Sequence, residues 1–259
     1  MNILVTGATG AVGPRVVQVL SAAGYWVRTL SLDQPSKGQW SDDVETRIGD
    51  VTDKSAVQSA VQGVNAVIHL AALLHIVNPP PELREKYERV NIGGTAMVVD
   101  AAIKAGVKRL VLFSTIAVYG AQMVACSMRC RQLILTLFMP RPNALPNRVL
   151  NARGAEGKPL GTVLRLGAVY GSRIKGNYRR LLQTLARGRF IAVGDGSNRR
   201  TLVYDKDLAR AAVVAVSHPT AAESAGFDFY SGRVKCSHPV FQRLGLEWLP
   251  RLLQESAQG

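Results

Sequence analysis

The sequence predicts an α/β fold, a doubly wound parallel sheet with helices on both faces. Short runs of branched apolar residues, typical of strands buried on both faces, alternate along the chain with segments of helical periodicity. The first of these strands, around Ile3 to Val5, runs directly into a glycine-rich turn, and a helical pattern follows at once. This order of strand, turn and helix is that of a βαβ unit, in which the sheet is parallel.

The opening turn is the strongest motif in the chain. Gly7 permits a tight turn, Gly10 allows the backbone to approach a pyrophosphate, and Gly13 lets the helix pack closely on the strand. The helix N-terminus adds unpaired N–H groups and the positive end of the helix dipole. We therefore predict a dinucleotide-binding loop, formed by Thr6, Gly7, Gly10, Ala11, Val12 and Gly13.

Further strands are predicted over 25–32, 44–48, 64–70, 107–114 and 162–166. Helices are predicted from the N-cap Asp53 to Val61 and over 82–105, 178–186 and 205–216. Ligands of open parallel sheets bind outside the carboxyl ends of the strands. Residues at those ends therefore complete the predicted cofactor site, namely Ser31, Asp33, Asp50, Val51, Leu70, Ala71, Ala72, Ser114 and Leu166.

The second strand end bears on the choice of cofactor. Asp33 could hydrogen-bond the adenosine ribose of NAD, whereas Lys37 could accommodate the 2′-phosphate of NADP. Asp50, at the third strand end, could be a turn residue or a polar contact to an adenine edge. The sequence leaves NAD and NADP open.

Composition excludes several other classes. No apolar run reaches the roughly 18 residues of a membrane span, and the chain enters its first strand without a signal peptide, so we expect a cytoplasmic protein. The three cysteines are too few for a disulfide scaffold, and Cys126 and Cys130 lack zinc spacing. His69 and His75 have no further ligand at suitable spacing, so no metal site is predicted. The net charge is +14, but the basic residues are spread along the chain, and we predict no nucleic-acid partner.

The motifs resemble those of the extended short-chain dehydrogenase/reductases of the NAD-dependent epimerase/dehydratase family. The resemblance covers roughly residues 1–122 and 149–216. Its pieces occur in the family's order, at residues 6–13, 49–51, 69–72, 91–95, 114–115, 118–120, 165 and 169–171.

The resemblance implies an NAD(P)-binding domain over 1–165 and a small substrate-binding lobe over 166–259, which we expect to be incomplete. It implies an epimerase, dehydratase or reductase acting on a hydroxyl/carbonyl centre of a nucleotide-sugar or another alcohol. Thr115 would polarise the substrate oxygen, and Asn91 would support the hydrogen-bond network of the active site. A homodimer is a further expectation.

One essential feature of the family is missing. Such enzymes use a Tyr-x-x-x-Lys pair to move a proton, but none of the seven tyrosines has a lysine four residues later. The pair should fall in the aberrant segment 123–148, where prolines at 140, 142 and 146 are expected to forbid the helix that would carry it. We therefore predict severely reduced turnover. The alternative is a non-catalytic dinucleotide-binding sensor or scaffold.

A reading-frame shift is one hypothesis for the origin of the aberrant segment. Codons permitted for residues 127–148, displaced by one base, can spell DEVSPADPDTLYAQTKRAAER, which contains the missing pair. The tyrosine codon would straddle Phe138 and Met139, and the lysine codon Pro142 and Asn143. Sequencing of the coding DNA decides this hypothesis, because it fails if no single-base shift restores the pair.

Overall fold

The computed structural model describes residues 1–73, 81–115, 144–154, 156–174, 177–189, 202–218, 221 and 227–229. The strands in this part of the chain are β1 (Asn2–Thr6), β2 (Trp26–Ser31), β3 (Glu45–Ile48), β4 (Ala66–His69), β5 (Arg109–Thr115), β6 (Gly161–Leu166), β7 (Ala168–Tyr170), β8 (Leu202–Tyr204) and β9 (Phe227–Phe229). Seven of them form one sheet in the order β3-β2-β1-β4-β5-β6-β9. Every neighbouring pair in it is parallel.

Helices cover both faces of this sheet. They are α1 (Gly13–Ala22), α2 (Lys54–Val61), α3 (Pro81–Tyr87), α4 (Thr95–Lys104), α5 (Ala144–Leu150), α6 (Asn177–Ala186) and α7 (Asp205–Ser217). Apolar residues of α1 and α7 share one core cluster, and those of α2, α4 and α5 share a second. The predicted doubly wound fold is therefore confirmed.

The first strand shows how the two cores are divided. Side chains of a strand alternate between its faces, so Ile3 and Val5 enter the α1/α7 core while Leu4 enters the α2/α4 core. All three are fully buried. A strand buried on both faces must be apolar throughout, which is the pattern that the sequence shows.

The ends of two helices lie where the sequence predicts them. Asp53 is the N-cap of α2, and its carboxylate accepts the backbone N–H groups of Ser55 at 2.8 Å and Ala56 at 3.4 Å. At the end of α4, Gly106 adopts the left-handed conformation with φ +69°. Glycine is favoured there because a side chain would be strained, so it ends the helix.

The predicted helix over 82–105 differs from expectation in its middle. Residues Glu88–Gly94 form a π-helical segment between α3 and α4. The two glycines of this segment are unfavourable in a regular helix, and the packing explains one of them. A Cβ on Gly94 would lie 2.9 Å from the Val51 Cγ2 atom, so only glycine brings the segment this close to the loop after β3.

The prediction that prolines 140, 142 and 146 forbid a helix in the segment 123–148 is wrong for Pro146. That residue lies in the first turn of α5, where a missing backbone N–H costs nothing; residues 140 and 142 lie outside the described part. The Arg148 guanidinium joins α5 to α4 through both oxygens of Asp100, at 2.8 and 2.9 Å. A Cβ on Gly161 would overlap the Val149 carbonyl, so α5 packs directly on the backbone of β6.

Part of the predicted second lobe lies against the main sheet. Helix α7 shares the core of α1, and β9 pairs with β6. Strands β7 and β8 form a separate parallel pair. The division at 165 and 166 stays a prediction. Within the described ranges, no helix has the length and apolar character needed to cross a bilayer.

Candidate active site

The glycine-rich loop fits between the carboxyl ends of β2 and β4. The Gly7 N–H donates to the Leu30 carbonyl oxygen at 2.8 Å. Gly7 has φ +69°, and a Cβ there would lie 2.7 Å from the N and Cα atoms of Ala71. Both the turn and the close approach of the two backbones therefore require glycine at this position.

The same loop leaves the amino end of α1 open. A Cβ on Gly13 would overlap the backbone of Ala8, so the first residue of α1 packs directly on the loop backbone. Among the described residues, no side chain caps this end through the N-cap Val12. Gly10 and Ala11 are exposed at the tip of the loop. Small residues, an uncapped helix start and an open tip together form a cradle of the kind that holds a diphosphate.

The end of β2 supports the loop and leaves the choice of cofactor open. Ser31 is buried, and its hydroxyl accepts the Thr9 N–H at 3.2 Å. Ser31, which the sequence predicts as a residue of the cofactor site, thus braces the loop in this structure. Asp33 and Lys37 are both exposed beyond the strand end. Both side chains remain candidates for a ribose or its 2′-phosphate.

After β3, the chain turns beneath the π-helical segment. The Asp50 carboxylate accepts the Thr52 N–H at 2.8 Å, which is the turn role considered for this residue. Val51 is buried, and its side chain packs against Gly94. Both predicted cofactor residues thus shape the loop at this end of the sheet.

The end of β4 meets the loop and the π-helical segment together. The Leu70 N–H donates to the Thr6 carbonyl oxygen at 3.1 Å, which extends the pairing of β1 with β4. Ala71 packs on Gly7, as described above, and Ala72 is exposed. The Asn91 side-chain amide binds the backbone of Leu73, accepting its N–H at 2.8 Å and donating to its carbonyl oxygen at 3.3 Å. Asn91 therefore fixes the chain that leaves this strand.

The remaining predicted residues lie on the next two strands. Ser114 and Thr115 end β5, and Thr115 lies opposite Leu166 in the parallel register with β6. Ser114 and Thr115 are half-buried, and Leu166 is buried. Because β4, β5 and β6 are parallel neighbours, these residues share the sheet edge that carries the loop. Residues 118–120 and His75 lie outside the described part of the chain.

Sequence reasoning missed a buried carboxylate near this edge. Asp205 begins α7 and has 1% exposure, and apart from the Lys206 backbone N–H its oxygens have no hydrogen-bond partner among the residues that the structure describes. The carboxylate lies against Gly171, where a Cβ would overlap it. Burial raises the pKa of the Asp205 carboxyl, and the charges of Arg15 and Lys206 oppose that rise. An aspartate at a helix start is ordinarily an exposed cap, so the sequence carries no sign of this burial.

We expect Asp205→Asn to raise the free energy of unfolding at pH 7 by about 1 kcal/mol, because it removes a buried charge without changing shape. The folded-state pKa of Asp205 lies above its unfolded value, so the folded protein holds the proton more tightly than the unfolded chain. The free energy of unfolding therefore falls as the pH rises and this carboxyl loses its proton. The advantage of the variant should therefore shrink towards pH 4. Urea unfolding of both proteins at several pH values measures this.

The matched control is Asp207→Asn, in the same helical turn. Asp207 is 42% exposed and faces Arg210 at 3.6 Å, so its neutralisation should bring no gain. Destabilisation by Asp205→Asn at pH 7 would contradict the expectation.

Comparison with known proteins decides the family. The sequence model of the 3-beta hydroxysteroid dehydrogenase/isomerase family matches residues 4–225. The chain belongs to this family. The match covers every predicted cofactor residue and confirms the resemblance to extended short-chain dehydrogenase/reductases.

Curated relatives of this 3-beta hydroxysteroid dehydrogenase/isomerase family member carry different activities in their names. A 3 beta-hydroxysteroid dehydrogenase/Delta 5→4-isomerase of Mycobacterium tuberculosis is 27% identical over 262 residues, covering 95% of this chain and 70% of the relative. The N-acetyl-alpha-D-glucosaminyl-diphospho-ditrans,octacis-undecaprenol 4-epimerase of Escherichia coli is 28% identical over 246 residues, covering 89% and 66%. The names of these two relatives therefore include a steroid and a sugar derivative as substrates.

The fold agrees with solved structures. MoeE5 in complex with UDP-glucose and NAD superposes with a TM-score of 0.72 and 25% identity, over 90% of this chain and 77% of that one. The UDP-N-acetylglucosamine 4-epimerase of Methanobrevibacter ruminantium M1 superposes with a TM-score of 0.72 at 19% identity, which shows the fold alone.

Proposed function

We propose that this family member binds NAD or NADP along the carboxyl edge of its main sheet, with the diphosphate on the loop from Gly7 to Gly13. The packing of Gly7 on Ala71 carries this proposal. Because the end of β4 closes one side of the loop, a ligand can reach only the other, exposed side. The small residues on that side let a phosphate approach the backbone. MoeE5, which shares the fold, is solved with NAD.

We assign to this site an NAD(P)-dependent reaction of the epimerase, dehydratase or reductase type at a hydroxyl/carbonyl centre. The substrate class is a 3β-hydroxysteroid, a nucleotide-sugar or another alcohol, in keeping with the name of the steroid dehydrogenase relative and with MoeE5, which is solved with UDP-glucose. Bound coenzyme supplies the hydride acceptor or donor. The Thr115 hydroxyl, at the end of β5, would polarise the substrate oxygen. Asn91 would keep the chain after β4 in place through its two bonds to Leu73.

The chain lacks the Tyr-x-x-x-Lys pair that the family resemblance implies. A positioned acid–base group contributes about 10² to 10⁴ in rate. We therefore expect coenzyme binding to survive while turnover is severely reduced. This absence also favours a second candidate, a dinucleotide-binding sensor or scaffold without catalysis.

Two versions of the protein test these alternatives. One has the sequence described above, and the other carries DEVSPADPDTLYAQTKRAAER in place of residues 127–148. We expect both to bind NAD or NADP in calorimetry. With a 3β-hydroxysteroid and UDP-glucose as probes, the second should turn over at least about 10²-fold faster on one of them.

The matched control is the second version with the inserted tyrosine changed to phenylalanine, which should lose the gain. Binding without turnover in all versions would support the sensor. A Kd of about 1 mM corresponds to a binding free energy of about −4 kcal/mol. If neither coenzyme binds to the folded protein at about that concentration, both the enzyme and the sensor or scaffold are contradicted.

A further inference from the structure

A buried chain of hydrogen bonds crosses the sheet edge beneath the proposed coenzyme. The His69 Nδ1 atom lies 2.7 Å from the Thr6 hydroxyl, and its Nε2 atom lies 2.9 Å from the Thr95 hydroxyl. The three residues are 1%, 0% and 2% exposed. Both nitrogens of the imidazole are therefore satisfied by side chains out of contact with water.

The imidazole of His69 is neutral in this chain of hydrogen bonds. Burial lowers the pKa of His69 to about 4, so the ring is uncharged at neutral pH. A neutral imidazole donates from one nitrogen and accepts at the other, and a threonine hydroxyl can do either. Each partner can thus be satisfied without burying a charge.

The three residues belong to the three elements that build the site. Thr6 ends β1 and directly precedes Gly7. His69 ends β4, two residues before Ala71, on which Gly7 packs. Thr95 is the first residue of α4 and continues the π-helical segment that carries Asn91.

We propose that His69 is a positioning residue that couples the diphosphate loop to the π-helical segment. The hydrogen bonds from Thr6 through His69 to Thr95 would then fix the position of the loop relative to Asn91. The proposal rests on the proposed coenzyme site. If the buried position needed only volume, an apolar side chain would fill it without two hydrogen-bond requirements. The polar chain instead fixes the distances between β1, β4 and α4.

The consequence is that a change at Thr95 acts on the loop from a distance. Thr95→Val keeps the shape of the side chain but leaves the His69 Nε2 atom without its partner. We expect it to raise the Kd for NAD about tenfold, measured by calorimetry well below the melting temperature. Thr95→Ser, which keeps the hydroxyl, should restore the Kd to within about twofold of the original.

Thr162→Val is the matched control. Thr162 is also fully buried, and its hydroxyl donates to the Ala221 carbonyl oxygen at 2.9 Å, away from the loop. It should lose comparable stability and leave the Kd within about twofold. A purely structural role for Thr95 predicts the same behaviour for both valine variants.

Equal Kd values for the original protein, Thr95→Val and Thr162→Val would overturn this inference and leave the proposed function standing. Failure of the unchanged protein to bind NAD would overturn the proposed function and this inference with it. Should Thr95→Val not fold, Thr95→Ala, which favours the helix, provides the same comparison.

Discussion

Replacing Gly7 with alanine is expected to abolish measurable NAD binding and to lower the free energy of unfolding by about 3 kcal/mol. Two costs add at this position. The backbone has φ +69°, which strains any side chain, and the new Cβ would lie 2.7 Å from backbone atoms of Ala71. Backbone atoms cannot rotate away, so the loop must move from its place above β4. Urea unfolding and calorimetry with NAD measure the two effects.

Gly24→Ala separates the two costs. Gly24 has φ +77°, close to that of Gly7, but a Cβ there would meet nothing within 4 Å. We expect a loss of about 1 kcal/mol from strain and unchanged NAD binding. If Gly7→Ala behaved like Gly24→Ala in both measurements, the close packing of the loop would not matter for coenzyme binding.

The second large effect is a loss of stability in mild acid. The pKa of His69 is lowered from 6.5 to about 4 in the folded protein. The unfolded chain therefore takes up a proton below pH 6.5 while the folded protein does not. Stability present above pH 6.5 is lost as the pH falls, and the loss reaches about 3 kcal/mol near pH 4.

Urea unfolding at about pH 7, 5.5 and 4.5 measures this loss. His69→Gln keeps one donor and one acceptor but does not titrate, so its stability should fall less steeply. His218→Gln, at an exposed position at the end of α7, is the matched control and should follow the unchanged protein. Parallel curves for the original protein and His69→Gln would contradict the assignment.

The sequence predicted most of the fold because the information is local. Alternation of buried strands and periodic helices identifies the parallel sheet, and Asp53 marks the start of α2 by its own hydrogen bonds. Gly7 lies in a tight turn, as the sequence predicts, whereas Gly13 packs on the loop at Ala8 and not on the strand. These features depend on residues near one another in the chain, which a pattern can reveal.

The parts that were missed depend on contacts between distant segments. No local pattern shows that Gly94 packs on Val51, so the π-helical segment was expected to be a regular helix. The chain from Thr6 through His69 to Thr95 joins residues 63 and 26 positions apart. Asp205 looks like an ordinary cap until α7 is placed against Gly171. The homodimer, the cytoplasmic location, the absence of a nucleic-acid partner and the shifted reading frame stay predictions.

The seating of α5 on β6 has a consequence for engineering the protein. Because the Val149 carbonyl touches the backbone at Gly161, the polypeptide is anchored again immediately after residues 116–143. The ion pair of Arg148 with Asp100 adds a second anchor on α4. Helix α5 is thus tied to both β6 and α4, so substitutions at Val149 or Arg148 are expected to disturb the scaffold on this side of the sheet.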